Sequence, residues 1–318
     1  MHILILGAAG MLGRKLAAAI TGGALPFSRL TLADVVAPPP VDGAAALALN
    51  LADPGAAAIL LKDRPDLIFH LAAVVSGEAE ADLARGYAVN LDASRALFDA
   101  IAAIPGYCPR VVFASSLAVF GAPFPKVIPD DFHLTPRTSY GTQKAMTELL
   151  LSDYSRRGLL DGIALRLPTI CIRPGAPNRA ASGFYSSILR EPLNGQPAVL
   201  PVRDSLRHWF ASPRAATGFF LRAARLDTGR LGPSRALTMP GLSASIAEMI
   251  EALRRVAGQA AVDLIRHEPD PVIEAIVTPW AEACAATSAR VLGFVAETDF
   301  DAIIRIYLED DHPSRRTA

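Results

Sequence analysis

The sequence predicts an α/β fold, a doubly wound parallel sheet followed by a smaller, segmented α+β part, and three observations predict it. Short continuous apolar runs recur through the first half: His2-Ile3-Leu4-Ile5-Leu6, Leu30-Thr31-Leu32-Ala33-Asp34, Asp66-Leu67-Ile68-Phe69-His70 and Arg110-Val111-Val112-Phe113-Ala114-Ser115-Ser116. Such runs mark strands buried on both faces of a parallel sheet. Helical patterns separate them, the alternation expected of crossover units. The first run opens directly into Gly7-Ala8-Ala9-Gly10-Met11-Leu12-Gly13 and then a helical pattern to Ile20.

Composition bounds the rest. The 318-residue chain is 51% hydrophobic with a formal net charge of zero, which gives no electrostatic ground for a nucleic acid or anionic membrane partner. Cys108, Cys171 and Cys284 are scattered without metal spacing. They read as reduced thiols of a soluble cytoplasmic protein without a metal. No apolar stretch reaches membrane-spanning length, and Met1 to Leu6 is too short for a signal peptide.

Taken in order, the glycine turn after the first strand lets backbone approach a pyrophosphate. The helix start at Met11 and Leu12 offers free N–H groups and a positive dipole end. Its spacing is G-x-x-G-x-x-G. Asp34, about twenty residues beyond Gly13, stands where a carboxylate binds the ribose 2′-hydroxyl of a Rossmann-type dinucleotide site. A carboxylate there repels a 2′-phosphate, so NAD is the expected cofactor. Residues 38–46 read as a loop, and a helix follows to about Lys62 with Asp53 as N-cap. Leu71-Ala72-Ala73 forms a small-residue strand exit suited to close ligand approach or to packing, and 75–78 a loop at the same sheet edge. His70 reads as a buried structural histidine. A helical pattern over 82–103 contains Gly86 and Asn90.

The strand at 110–116 ends in Ser115 and Ser116, a proline-rich loop covers 122–136, and Ser139-Tyr140-Gly141-Thr142-Gln143-Lys144 opens a helix. Tyr140 and Lys144 at i and i+4 share one helix face. A phenol titrates near 10, and bringing it towards 7 takes roughly 4 kcal/mol at about 1.36 kcal/mol per unit. A neighbouring ammonium favours the phenolate. Taken alone the spacing also fits a packed tyrosine and a solvated lysine. Later helices are expected at 182–190, 213–225, 245–258 (with Ser245 and Glu248 as a capping box) and 300–309. Strands are expected at 198–200, 236–238 and 262–265.

A glycine loop after one strand, serines ending another and a helix with Tyr140 and Lys144 together resemble the extended short-chain dehydrogenase/reductases of the NAD-dependent epimerase/dehydratase family. The stretches 70–82, 139–144 and 164–175 are more narrowly similar to a subfamily that oxidises the 2-hydroxyl of the four-carbon sugar acid D-erythronate with NAD. The resemblance implies Tyr140 as base, Lys144 as its partner and ribose anchor, and Ser116 on the substrate oxygen. It implies cofactor contacts at Gly7, Gly10, Met11, Leu12, Gly13, Asp34, Leu71, Ala72, Ala73, Pro168 and Ile170. Asn50-Leu51 stands at an adenine-contacting pair, with Asn50 in place of aspartate, and Asn90 matches a site-ordering asparagine.

A sugar acid brings a carboxylate, which arginine binds in a bidentate fork. Arg173, Arg179 and Arg207 are the candidates, with Ser76 and Thr142 for the polyol end. The resemblance further implies a homodimer. It places an NAD-binding domain at 1–168, with a return segment near 205–240, and a mainly substrate-binding domain at 169–310; residues 311–318 read as a polar tail. Two other functions stay open on the same scaffold: a nucleotide-sugar epimerase or dehydratase, and a non-catalytic NAD(P)-sensing protein.

Overall fold

The structure, a computed structural model, describes residues 1–175, 182–232 and 234–313. Twelve strands are described: β1 (His2–Leu6), β2 (Arg29–Asp34), β3 (Ala44–Ala48), β4 (Leu67–His70), β5 (Arg110–Ser116), β6 (Asp161–Leu167), β7 (Thr169–Ile170), β8 (Ala198–Leu200), β9 (Arg207–Ala211), β10 (Ala236–Thr238), β11 (Leu242–Ser245) and β12 (Ile265–His267).

The main sheet runs β3-β2-β1-β4-β5-β6-β10 with every neighbouring pair parallel. Alternation along β1 sends Ile3 and Ile5 into one apolar layer, with the helices Met11–Ala19 and Pro213–Arg225. Leu4 and Leu6 enter the opposite layer, against Leu97, Phe98 and Leu151 of the helices Ala93–Ala102 and Ser139–Arg156. Both faces are covered, which is why these strands read as continuous apolar runs. Strand order reverses between β1 and β4, and a crevice opens there at the strands' carboxyl ends.

The chain leaves this sheet at Leu167-Pro168 and enters a three-stranded sheet, β11-β9-β7, with a β12-β8 pair beyond it. A further core lies there, built on Tyr185, Ile188, Phe210, Met249, Leu253 and Ile304. The helix Ile246–Ala257 starts with the expected capping box: Glu248 N–H donates to Ser245 Oγ at 3.2 Å and Ser245 N–H to Glu248 Oε2 at 2.8 Å.

Five expectations are corrected; among them, the loop expected at 75–78 is the start of the helix Ser76–Ala81. Part of the 38–46 loop is β3, an alanine-rich edge strand recruited by pairing with β2, so it carries no β-branched signal. The next helix starts at Ala56 behind Gly55 (φ 84°), because Asn50 and Asp53 are taken up in a turn of their own. The strand expected at 262–265 shifts to β12, since Val262 ends the short helix Gln259–Val262. Asp311 is no tail residue: it is buried and paired with Lys15 at 2.8 Å.

Candidate active site

β1 delivers the glycine turn to the crevice. Gly7 (φ 85°) donates its N–H to the Ala33 carbonyl at 2.9 Å. A Cβ on Gly7 would lie 2.6 Å from Ala72 N, and one on Gly13 2.2 Å from Gly7 O, so both serve the chain's own close packing. Gly10 is exposed and a Cβ there would meet only Gly7 O, at 3.3 Å, which leaves its open side for a ligand. It precedes the Met11–Ala19 helix with no side-chain cap. Asp34 Oδ2 accepts the Ala9 N–H at 2.9 Å. An uncapped helix start, an uncrowded glycine and an adjacent carboxylate fit the pyrophosphate and ribose of a dinucleotide.

Gly7, Gly10, Met11, Leu12, Gly13, Leu71, Ala73, Ser76, Ser116, Tyr140, Lys144, Pro168, Ile170 and Arg173 line one cleft, the gathering the sequence predicts. Ala72, also predicted, does not line it: it packs against the second apolar layer and its backbone crowds Gly7.

The Ser139–Arg156 helix is capped by Thr138, whose Oγ1 accepts Gly141 N–H at 3.0 Å. A Cβ on Gly141 would lie 2.1 Å from Ala118 O, so the glycine lets the helix press against the exit of β5. Ser116 Oγ accepts the Ala118 N–H at 3.1 Å and pulls the Tyr140 phenol down, whereas Ser115 Oγ points away and donates to Glu148 Oε1 at 2.5 Å. Lys144 is 1% exposed, donates from Nζ to the Ala114 carbonyl at 2.8 Å and lies 4.6 Å from the Phe113 ring centroid.

The electrostatics differ from the expectation that Lys144 pulls the Tyr140 phenol down. Burial pushes Tyr140 up to about 12, and the groups that pull it back are Ser116 and Arg173. Burial also pushes Lys144 down to about 7, against an upward pull from Glu148. In the protein alone the lysine therefore loses its proton before the phenol titrates, and a neutral amine does not favour a phenolate. Behind it, buried Glu148 is held by Arg166 Nη2 at 2.8 Å and Nε at 3.1 Å. His70 is buried, contacts Ser94 Oγ through Nε2 at 2.9 Å and is pushed down to about 3, a neutral packed residue as expected.

On the far wall stand Arg173, Ser182, Thr169, His208 and Trp280. Arg173 donates from Nε to the Ile170 carbonyl at 3.1 Å and from Nη2 to Ser182 Oγ at 2.6 Å. Among the described residues no carboxylate pairs with it.

Other predicted residues lie off the cleft. Arg207 turns away, held by Glu248 at 2.8 Å and the Ser243 carbonyl at 3.1 Å, because neighbours along a strand face opposite sides and His208 takes the inner one. Thr142, two residues past Tyr140 and so on another helix face, bonds the Thr138 carbonyl at 3.0 Å. Asn50 serves its own turn and Leu51 packs beside the second apolar layer, so neither lines the cleft. Asn90 sits behind the wall and orders it: Val74 N–H donates to Asn90 Oδ1 at 2.8 Å, and Asn90 Nδ2 donates to Gln143 Oε1 at 2.8 Å. Arg179 falls outside the described residues. Thr138, Thr169, Ser182, His208 and Trp280 were not predicted; that His208 and not Arg207 faces the cleft is decided by the pairing of β9 with β7 and β11.

Comparison with known proteins agrees with this geometry. The model of the NAD-dependent epimerase/dehydratase family matches residues 3–231. A D-erythronate dehydrogenase of Cupriavidus necator is 48% identical over 98% of both chains. Another, from Haemophilus influenzae, is 41% identical over 98% of this chain and 100% of its own. A solved structure described as the nucleoside-diphosphate-sugar epimerase from Agrobacterium tumefaciens superposes with a TM-score of 0.94 at 58% identity, covering 98% of this chain and 94% of that one. This chain is an enzyme with a nicotinamide cofactor and belongs to the NAD-dependent epimerase/dehydratase family.

Proposed function

We propose that the chain oxidises the 2-hydroxyl of a small sugar acid, D-erythronate to 2-dehydro-D-erythronate, with NAD. The observation that carries this reading is Arg173, a partly buried cation without a carboxylate partner among the described residues, in the cleft that holds Tyr140. A sheltered, unpaired charge is costly, and a substrate carboxylate would neutralise it. The names of the two relatives at 48% and 41% identity support the same substrate.

In this reading Tyr140 Oη takes the proton of the substrate hydroxyl, and Ser116, which lines the same cleft, holds the substrate oxygen. Lys144 keeps the Tyr140 side of the cleft charged or neutral according to pH. The bound cofactor supplies the acceptor for the hydride that leaves C2. Asp34, with one oxygen on Ala9, favours NAD over NADP. Residues 1–168 with the return near 205–240 hold the cofactor, and 169–310 mainly hold substrate. Exposed Met146 (40%) and Leu149 (63%), beside Leu91 and Leu150, support a homodimer through that helix face. We place the enzyme in the cytoplasm; no helix among the described residues is long and apolar enough to cross a membrane.

A second reading, nucleotide-sugar epimerisation, is favoured by the name of the Agrobacterium structure. A diphosphate carries more charge than one carboxylate; Arg173 lines the cleft, but the second candidate, Arg207, is tied to Glu248 outside it. The deciding experiment measures NADH formation with D-erythronate and, separately, conversion of UDP-glucose. Turnover of the acid alone supports the dehydrogenase; turnover of the nucleotide sugar alone overturns it.

A further inference from the structure

We propose that Thr169 and His208 form a neutral hydroxyl-recognising subsite, which reads the polyol end of the substrate while Arg173 takes its carboxylate. The proposal rests on the sugar-acid reading above and adds which residues distinguish a polyhydroxy acid from a plain 2-hydroxy acid.

Thr169 stands on β7 and His208 on the neighbouring β9, and both line the cleft. Thr169 Oγ1 and His208 Nε2 lie 2.7 Å apart. The imidazole is clamped: it stacks on Tyr185 with ring centroids 5.4 Å apart and planes at 10°, and Trp280 leans on it at 5.3 Å. It is 4% exposed, and burial pushes it down to about 4, so the pair carries no charge at neutral pH. A threonine hydroxyl offers one donor and two lone pairs. His208 is the one side-chain partner of Thr169 among the described residues, which leaves hydrogen-bonding capacity facing the cleft.

The chemistry of that capacity selects the ligand. A neutral hydroxyl–imidazole pair has nothing with which to neutralise a carboxylate or phosphate, but it matches a hydroxyl, which both gives and accepts. The anion receptor is separate yet close in sequence: Arg173 Nε donates to the carbonyl of Ile170, the residue after Thr169, at 3.1 Å. One short strand thus fixes the spacing between the two recognition elements. A substrate with hydroxyls beyond the reacting carbon uses the hydrogen-bonding capacity that Thr169 keeps beside its bond to His208, and an analogue without them leaves that capacity unmet in a sheltered wall, the kind of loss by which enzymes discriminate.

The test compares kcat/KM for D-erythronate and for 2-hydroxybutanoate, which lacks the two distal hydroxyls, in wild type, Thr169→Val, Thr169→Ser and His208→Phe. Wild type is expected to prefer D-erythronate by about 100-fold or more. Thr169→Val keeps the volume and should lower that ratio at least about tenfold, chiefly through D-erythronate, with KM for NAD unchanged. Thr169→Ser should restore it, and His208→Phe should lower it while thermal melting confirms a folded protein. A wild-type ratio that survives in Thr169→Val overturns the subsite while leaving the dehydrogenase standing. Absence of turnover with either acid in wild type overturns the underlying reading instead.

Discussion

Lys144 Nζ stands 5.6 Å from the ring centroid of Tyr140 and gives its hydrogen bond to the Ala114 carbonyl at 2.8 Å, not to the phenol. The phenol's polar neighbour is Ser116. Tyr140→Phe should therefore preserve ring packing and cofactor affinity while turnover falls by about 10²–10⁴-fold, the scale of general-base catalysis. Fluorescence titration of NAD beside steady-state rates checks it. Activity above about a tenth of wild type would remove Tyr140 as the base.

Oxidation requires Tyr140 without its proton, and burial holds that proton on up to about 12. The rate of acid oxidation should accordingly rise with pH from neutrality upward, while the reverse reduction should stay level until the pH approaches that value. Ser116 pulls the phenol down. In Ser116→Ala the oxidation profile should then move to higher pH, besides losing amplitude. A profile that keeps its position contradicts the assignment.

Arg173→Ala should lower kcat/KM for the acid by about 100-fold, as expected for loss of a charge-assisted pair in a sheltered site. KM for NAD should change little. Arg207→Ala, which breaks a half-exposed pair with Glu248, should leave both constants within about twofold. Equal effects from the two variants would deny Arg173 its role.

Asp34→Asn keeps an oxygen for the Ala9 N–H but removes the charge. The ratio of kcat/KM for NAD to that for NADP should drop at least about tenfold, since the repulsion of a 2′-phosphate disappears. An unchanged ratio makes Asp34 a loop-holding residue only.

Glu148 and Arg166 are both buried, and Glu148→Ala leaves a guanidinium unpaired. Urea unfolding should show a loss of about 3–5 kcal/mol, with Glu148→Met/Arg166→Leu recovering most of it. A double variant no better than the single would place the cost in the lost Ser115 bond.

The sequence made the main sheet legible because strands covered on both faces and a glycine turn that side chains could not fit leave local marks; Ile3 to Gly13 could be read directly. Tyr140, Lys144 and Ser116 were legible because a four-residue helical spacing and a strand end are short-range facts. The far wall was not. Whether Arg207 or His208 faces the cleft depends on the parity of β9, which its pairing with β7 and β11 sets and no local pattern reveals. Thr142 failed for a simpler reason, its place around the helix. β3 was hidden because an alanine strand earns its place through β2 alone.

Lys15 lies on the helix that begins at the glycine turn, and its acid is Asp311, 296 residues later. Arg110 of β5 likewise reaches forward to the carbonyls of Ala223 and Leu226, both at 2.9 Å. During synthesis from the N-terminus these early groups wait for partners that the ribosome has yet to deliver. The part of the chain that is made first is thus completed last, and a nascent chain arrested before the helix Phe300–Asp310 carries the glycine turn without the brace that holds its helix.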